Sequence, residues 1–176
     1  MSVVEQKRER IRAALEELDY PTSISRTVEA MHTLNDIWMS DSFEEIDGSI
    51  GDFVGDDDFR EEIFSARVIQ SVMDVAQDKQ SYPPPFYGSA CSVLYSLCYK
   101  NTELATTFVA NGGVDFLLET LEDFPWDQPL LLACFAVHRA VIESIDGGER
   151  ERFAGLTLET LLDVAALNFD SAGEHF

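Results

Sequence analysis

The 176-residue chain sets 12 Lys and Arg against 33 Asp and Glu, a formal net charge of −21, yet 45% of its residues are hydrophobic. That apolar content suffices for one packed domain and argues against a disordered acidic tail. The charge disfavours nucleic acid and anionic membrane surfaces, which bind through Lys and Arg, and favours a basic protein or peptide as partner.

The opening MSVVEQKRERIR is too charged for a secretory leader. Ile11, Ala14, Leu15 and Leu18 then follow the i, i+3, i+4, i+7 spacing of a half-buried helix. The cluster Lys7, Arg8, Arg10 and Arg12 on that helix reads as its solvated face, with a localisation signal as the alternative. After Pro21 comes a second helix type, a small residue with apolar residues four and seven later: Ala30, Leu34 and Ile37.

Residues 41–58, DSFEEIDGSIGDFVGDDD, contain no basic residue and are expected to form an acidic loop insertion. The segment reads as a solvated loop ending in an N-cap at Asp57 or Asp58, or as a docking site for a basic partner. No register supplies the ligand spacing of an EF-hand. Ser42 and Ser49 each have an acid three residues downstream, a pattern that suits an acid-directed kinase.

Beyond the insertion the stripe returns as Ile69, Val72, Met73 and Ala76, then Val114, Leu117, Leu118 and Leu121, then Leu158, Leu161, Leu162 and Ala165. A phenylalanine precedes each: Phe64, Phe108 and Phe153. The second type returns as Ala90, Leu94 and Leu97, and as Ala133, Val137 and Ala140. All six prolines fall between a stripe helix and the helix after it, where proline is tolerated. SYPPPFYG, residues 81–88, is therefore read as a linker, with polyproline recognition as a second use. Tyr82, Phe86 and Tyr87 beside it are expected to pack over helix ends.

Asn111-Gly112-Gly113 lacks the spacing of a phosphate-binding loop and reads as an elbow between two helices, with Gly155 in the corresponding place of the last copy. The unit is thus a short helix, an elbow, a stripe helix, a proline linker and a longer third helix, repeating about every 43 residues.

This unit resembles the armadillo repeat, and NTELATTFVANGGVDFLLETLEDFPWDQPLLLACFAVHRAVIES (101–144) carries the resemblance best. The HEAT repeat is the nearest alternative, but the extra short helix favours the armadillo pattern. The resemblance implies an all-α, right-handed helical solenoid of about two full repeats flanked by partial ones. Its expected divisions are a partial repeat at 1–40, the insertion at 41–58, repeats at 59–100 and 101–145, and a partial repeat at 146–176.

Armadillo-like arrays are typically binding scaffolds whose third helices line a groove. In peptide-binding members an asparagine lies six residues after the small residue of each third helix, and an aromatic often lies two after it. Here the first positions are Asp36, Ser96 and Arg139, and the second are His32, Ser92 and Phe135. These six are the expected partner-binding residues. The missing asparagine ladder departs from nuclear-import-style recognition of extended basic peptides.

No catalytic residue, cofactor or metal site is expected, and the chain is read as no enzyme. HExxH and GxSxG are absent. Cys134 and His138, four apart, make half a metal site at best and read as a buried cysteine and a satisfied core histidine. Three cysteines without CxxC spacing point to a reducing compartment, and the run from 130 to 137 is too short to span a bilayer. The expectation is an intracellular protein, cytoplasmic or nuclear, that binds a basic protein or peptide. The alternative is a self-associating subunit joined through its C-terminal edge, or a piece of a longer repeat protein.

Overall fold

The computed structural model of the chain describes residues 3–42, 65–78, 82–148 and 150–155, with positions 159, 162, 163 and 166. The expectations for 43–58, Phe64, Leu158, Leu161 and Ala165 lie outside the described residues. The protein is all-α: every described element is a helix, and no strand occurs among the described residues. No described helix is long and apolar enough to cross a membrane.

The helices are α1 (Val3–Asp19), α2 (Ile24–Ser42), α3 (Ala66–Gln77), α4 (Pro84–Cys98), α5 (Thr102–Ala110), α6 (Gly113–Asp123) and α7 (Gln128–Ser144). Their ends follow local chemistry. Asn101 and Asp127 cap α5 and α7 by accepting hydrogen bonds from Leu104 N at 3.1 Å and Leu130 N at 2.9 Å. Pro83 is the N-cap of α4, with Pro84 opening the helix, so residues 84–88 of the expected linker are helical instead, with Pro84 and Pro85 in the first turn where proline is tolerated. α2 runs on to Ser42, two residues into the expected insertion. Asp41 and Ser42 carry no glycine or proline that would stop the helix earlier.

The elbow depends on both glycines. Gly112 sits at φ +85°, a left-handed conformation open to glycine at little cost, and Gln77 Nε2 lies 3.4 Å from its carbonyl oxygen. At Gly113 a Cβ would lie 2.4 Å from the Phe108 ring, so the backbone needs a bare hydrogen there. Gly155 departs from the expectation: it is itself helical, has no positive φ, and a Cβ on it would meet open space. Its counterpart 44 residues earlier is Asn111, before the turn, so it does not do the work of Gly112.

The helices contact one another in two rows. α2 packs on α4 and α4 on α7, while α1 packs on α3 and α3 on α6; α5 touches α3, α4, α6 and α7. One continuous apolar core runs between the rows, from Ile11 in α1 to Phe153 beyond α7. The first two stripes are buried as expected, with Ile11, Ile69, Val72 and Met73 fully so. The third is rotated by about one position: Phe116, Leu117, Thr120 and Leu121 are buried, whereas Val114 and Leu118 are only half-buried. The tight seat of Gly113 on Phe108 turns the helix and brings Phe116 inward, its ring edge-on to Phe108 at 6.5 Å. Leu162, in the last stripe, is 56% exposed.

Tyr82, Phe86 and Tyr87 are buried and form an aromatic chain ending at Phe124, with Tyr82 stacked on Phe86 at 4.2 Å. Asp19 ties α1 to α3 by accepting hydrogen bonds from Arg67 Nη2 (2.6 Å) and from the Ser71 hydroxyl. Burial pushes the Asp19 carboxyl up, but the bonds from Ser71 and Arg67 and the Arg67 charge outweigh it, holding the group below its ordinary 3.8. The stability it contributes is complete above that value and is lost as pH falls beneath it.

Candidate partner-binding face

The six expected residues lie on α2, α4 and α7, the three helices of one row. Their surroundings differ. His32, half-buried on α2, shares a 2.7 Å hydrogen bond between its Nδ1 and Ser89 Oγ of α4, tying the two helices across 57 residues of chain. Asp36, one turn further along, is exposed. Ser92 and Ser96 turn their hydroxyls back onto their own helix, donating to Gly88 O at 3.0 Å and Ser92 O at 3.1 Å. They retain lone pairs to accept from a ligand, while their protons are engaged. Phe135 is half-buried against the core, and Arg139 is exposed with Nε donating to Glu143 Oε1 at 2.7 Å. An exposed i, i+4 pair of this kind is worth a few tenths of a kcal/mol and is readily exchanged for a partner's carboxylate.

Sequence reasoning missed Tyr95, Tyr99 and Lys100. The two tyrosine rings stack one helical turn apart, with centroids at 5.5 Å, and Lys100 Nζ lies 5.0 Å from the Tyr99 ring centre. The hydrogen bond and charge of Glu143 raise the Arg139 pKa, with smaller contributions from Tyr95 and Tyr99, which places both tyrosines in the neighbourhood of this guanidinium on α7. A legible signal did exist. In a chain with 26% charged residues, the 15 residues of α4 carry no charge at all. A helix without charge but with outward-facing Tyr and Ser leaves a surface that costs little to desolvate.

Beneath this face lie two buried groups the sequence reading assigned to the core. Cys134 is fully buried, with its Sγ 3.9 Å from Cys91 Sγ of α4. His138 is buried and stacks on Phe153 at 5.3 Å, but its Nε2 finds no hydrogen-bond partner among the described residues. It is a core histidine stacked on an aromatic ring, and at Nε2 it departs from the satisfied core histidine expected.

Burial lowers the His138 pKa from its ordinary 6.5. The unfolded chain therefore takes up a proton at this site before the folded chain does, and stability falls as pH drops below 6.5. Denaturant midpoints of the wild type are expected to fall between pH 7 and pH 5. In His138→Phe, which keeps an aromatic ring against Phe153, that part of the slope disappears; equal slopes for the two proteins count against the assignment.

Protein-family models, curated proteins and solved structures yield no match to the chain. The assignment of function therefore rests on the residues themselves.

Proposed function

We propose that the chain is a right-handed solenoid of armadillo-like repeats acting as a non-enzymatic protein-interaction scaffold for a basic protein or peptide. The observation that carries this reading is the packing order. The helix that ends each repeat, α2, α4 and α7, lies against its counterparts, and the stripe helices α1, α3 and α6 do likewise. The short α5 before its elbow favours the armadillo pattern over HEAT.

The division of charge supports a two-part mode of binding. The chain's −21 acts at long range to steer a basic partner, and that contribution is screened within about 8 Å at physiological salt. At contact the charge-poor α4–α7 face takes over, through Tyr95, Tyr99, Phe135 and the exposed Leu132, with Arg139 and Asp36 setting register. Aromatic and arginine side chains of this kind dominate interface energetics.

Photo-cross-linking from positions 36, 96 and 139 at low and high salt tests the proposal. Capture is expected from those positions, falling about tenfold or more at high salt.

A second reading, self-association through the C-terminal edge, is favoured by Leu162, which lies with Ala154, Gly155 and Glu159 around a shallow open depression. In the same experiment this reading yields products between copies of the chain.

A further inference from the structure

Cys91 and Cys134 occupy equivalent places in successive third helices, one residue after Ala90 and Ala133, and they are 43 residues apart. Met31 holds the same place in α2, so one sulfur-bearing side chain from each helix of the row is fully buried. Between the first two helices the pair is thioether and thiol. Between α4 and α7 it is two thiols in van der Waals contact, with the sulfurs 3.9 Å apart.

A disulfide requires about 2.05 Å, so roughly 2 Å must be closed. Side-chain rotation together with an approach of the two helices has to supply that. The third cysteine, Cys98, is placed differently: its Sγ contacts its neighbour's carbonyl oxygen, Leu104 O, at 3.9 Å. The structure therefore singles out one pair from three thiols.

We propose that Cys91 and Cys134 form a thiol-oxidation site whose disulfide clamps α4 to α7. The oxidant is a peroxide. Cys91 or Cys134 sulfur attacks one peroxide oxygen, the O–O bond breaks, and a sulfenic acid forms with release of water. The second sulfur then attacks the first; the S–S bond forms, the S–O bond breaks, and the departing hydroxide takes the second thiol's proton as water. Two thiols lose two electrons in all, and one hydrogen peroxide becomes two waters.

Burial sets the rate of this step. The Cys91 thiol is pushed well above its ordinary pKa, first by its contact with Cys134 and then by burial, and burial takes Cys98 to about 12. Reaction is therefore slow in the closed fold and proceeds through transient opening of the helix pair. Once formed, the bond holds the two helices of the charge-poor face in fixed relation. Cysteine oxidation in reducing compartments is typically reversible and regulatory, in keeping with such a clamp. The site stands on its own geometry and holds whether or not the scaffold reading does.

The test treats the full chain with hydrogen peroxide and follows it by intact mass and non-reducing peptide mapping, with dithiothreitol as the reversal. The expected result is a loss of two mass units per chain, a single peptide pair joining Cys91 to Cys134, and full reversal. The thermal midpoint of the oxidised form is expected to rise by roughly 5–10 °C. Cys98→Ala keeps the two-unit loss and Cys134→Ala abolishes it. A bridge involving Cys98, dimers alone, or no bridge at peroxide levels that fully oxidise a small reference thiol would overturn the proposal. The wild-type peptide map decides this even if a variant fails to fold.

Discussion

Phe86→Ala is expected to destabilise the fold by about 3–5 kcal/mol, a large part of the 5–15 kcal/mol typical of a domain. Phe86 has no exposed surface, stacks on Tyr82 at 4.2 Å and meets Tyr87 edge-on at 5.3 Å; Tyr87 in turn reaches Phe124 beyond α6. Removing the ring loses its transfer energy and leaves a cavity walled by two other rings. Those walls cannot collapse, because Pro83 and Pro84 fix the start of α4. Phe86→Leu, which refills most of the volume, is expected to cost well under half as much. Urea unfolding with an unchanged slope checks both. Tyr20→Ala, at a residue 75% exposed, provides the contrast and is expected to stay within about 0.5 kcal/mol.

Gly113→Ala is the second large effect, at about 2–3 kcal/mol. The added methyl would stand 2.4–2.6 Å from three atoms of the Phe108 ring, which is fully buried and has no room to retreat. The neighbouring Gly112→Ala acts differently: it forces an L-residue to φ +85°, costing about 1 kcal/mol or more, and its Cβ meets the flexible ends of Gln77 and Asp115. The clash at Gly113 is with a specific partner. Phe108→Leu/Gly113→Ala is therefore expected to be more stable than the sum of the single changes predicts. Strict additivity in the cycle would contradict the account of the elbow.

The sequence made the helices legible because apolar periodicity and proline placement agreed. Ile11 to Leu18 and Ile69 to Ala76 form the buried faces their spacing predicts, and none of the six prolines interrupts a helix interior. Where one residue's contact outweighed periodicity, the reading slipped. The stripe of α6 is turned because Gly113 packs on Phe108, a contact between two helices that no spacing within one helix reveals. Gly155 corresponds to the elbow by residue spacing, yet among the described glycines left-handed backbone belongs to Gly112 and to Gly147, at φ +57°.

The site was less legible than the fold. Its six residues do lie on the three helices of one row, but what each hydroxyl or guanidinium is bonded to depends on geometry. Ser92 and Ser96 spend their protons on their own helix, Arg139 is engaged by Glu143, and His32 is shared with Ser89. Tyr95 and Tyr99 do not fall at the small-residue offsets that the armadillo resemblance singles out, so spacing alone does not mark them. The Cys91–Cys134 contact joins residues 43 apart in the chain, and short-range cysteine spacing cannot show it.

The central claim is that partners dock on the row formed by α2, α4 and α7. The most direct measurement places a photo-reactive residue singly at positions 36, 96 and 139, and as a control at the exposed Glu119 of α6, then maps the captured chains by mass spectrometry at low and high salt. The account predicts that the first three positions capture one basic partner at low salt, that capture collapses at high salt, and that position 119 captures none. Equal capture from position 119, salt-independent capture, or products joining only copies of this chain near 154–162 would contradict it.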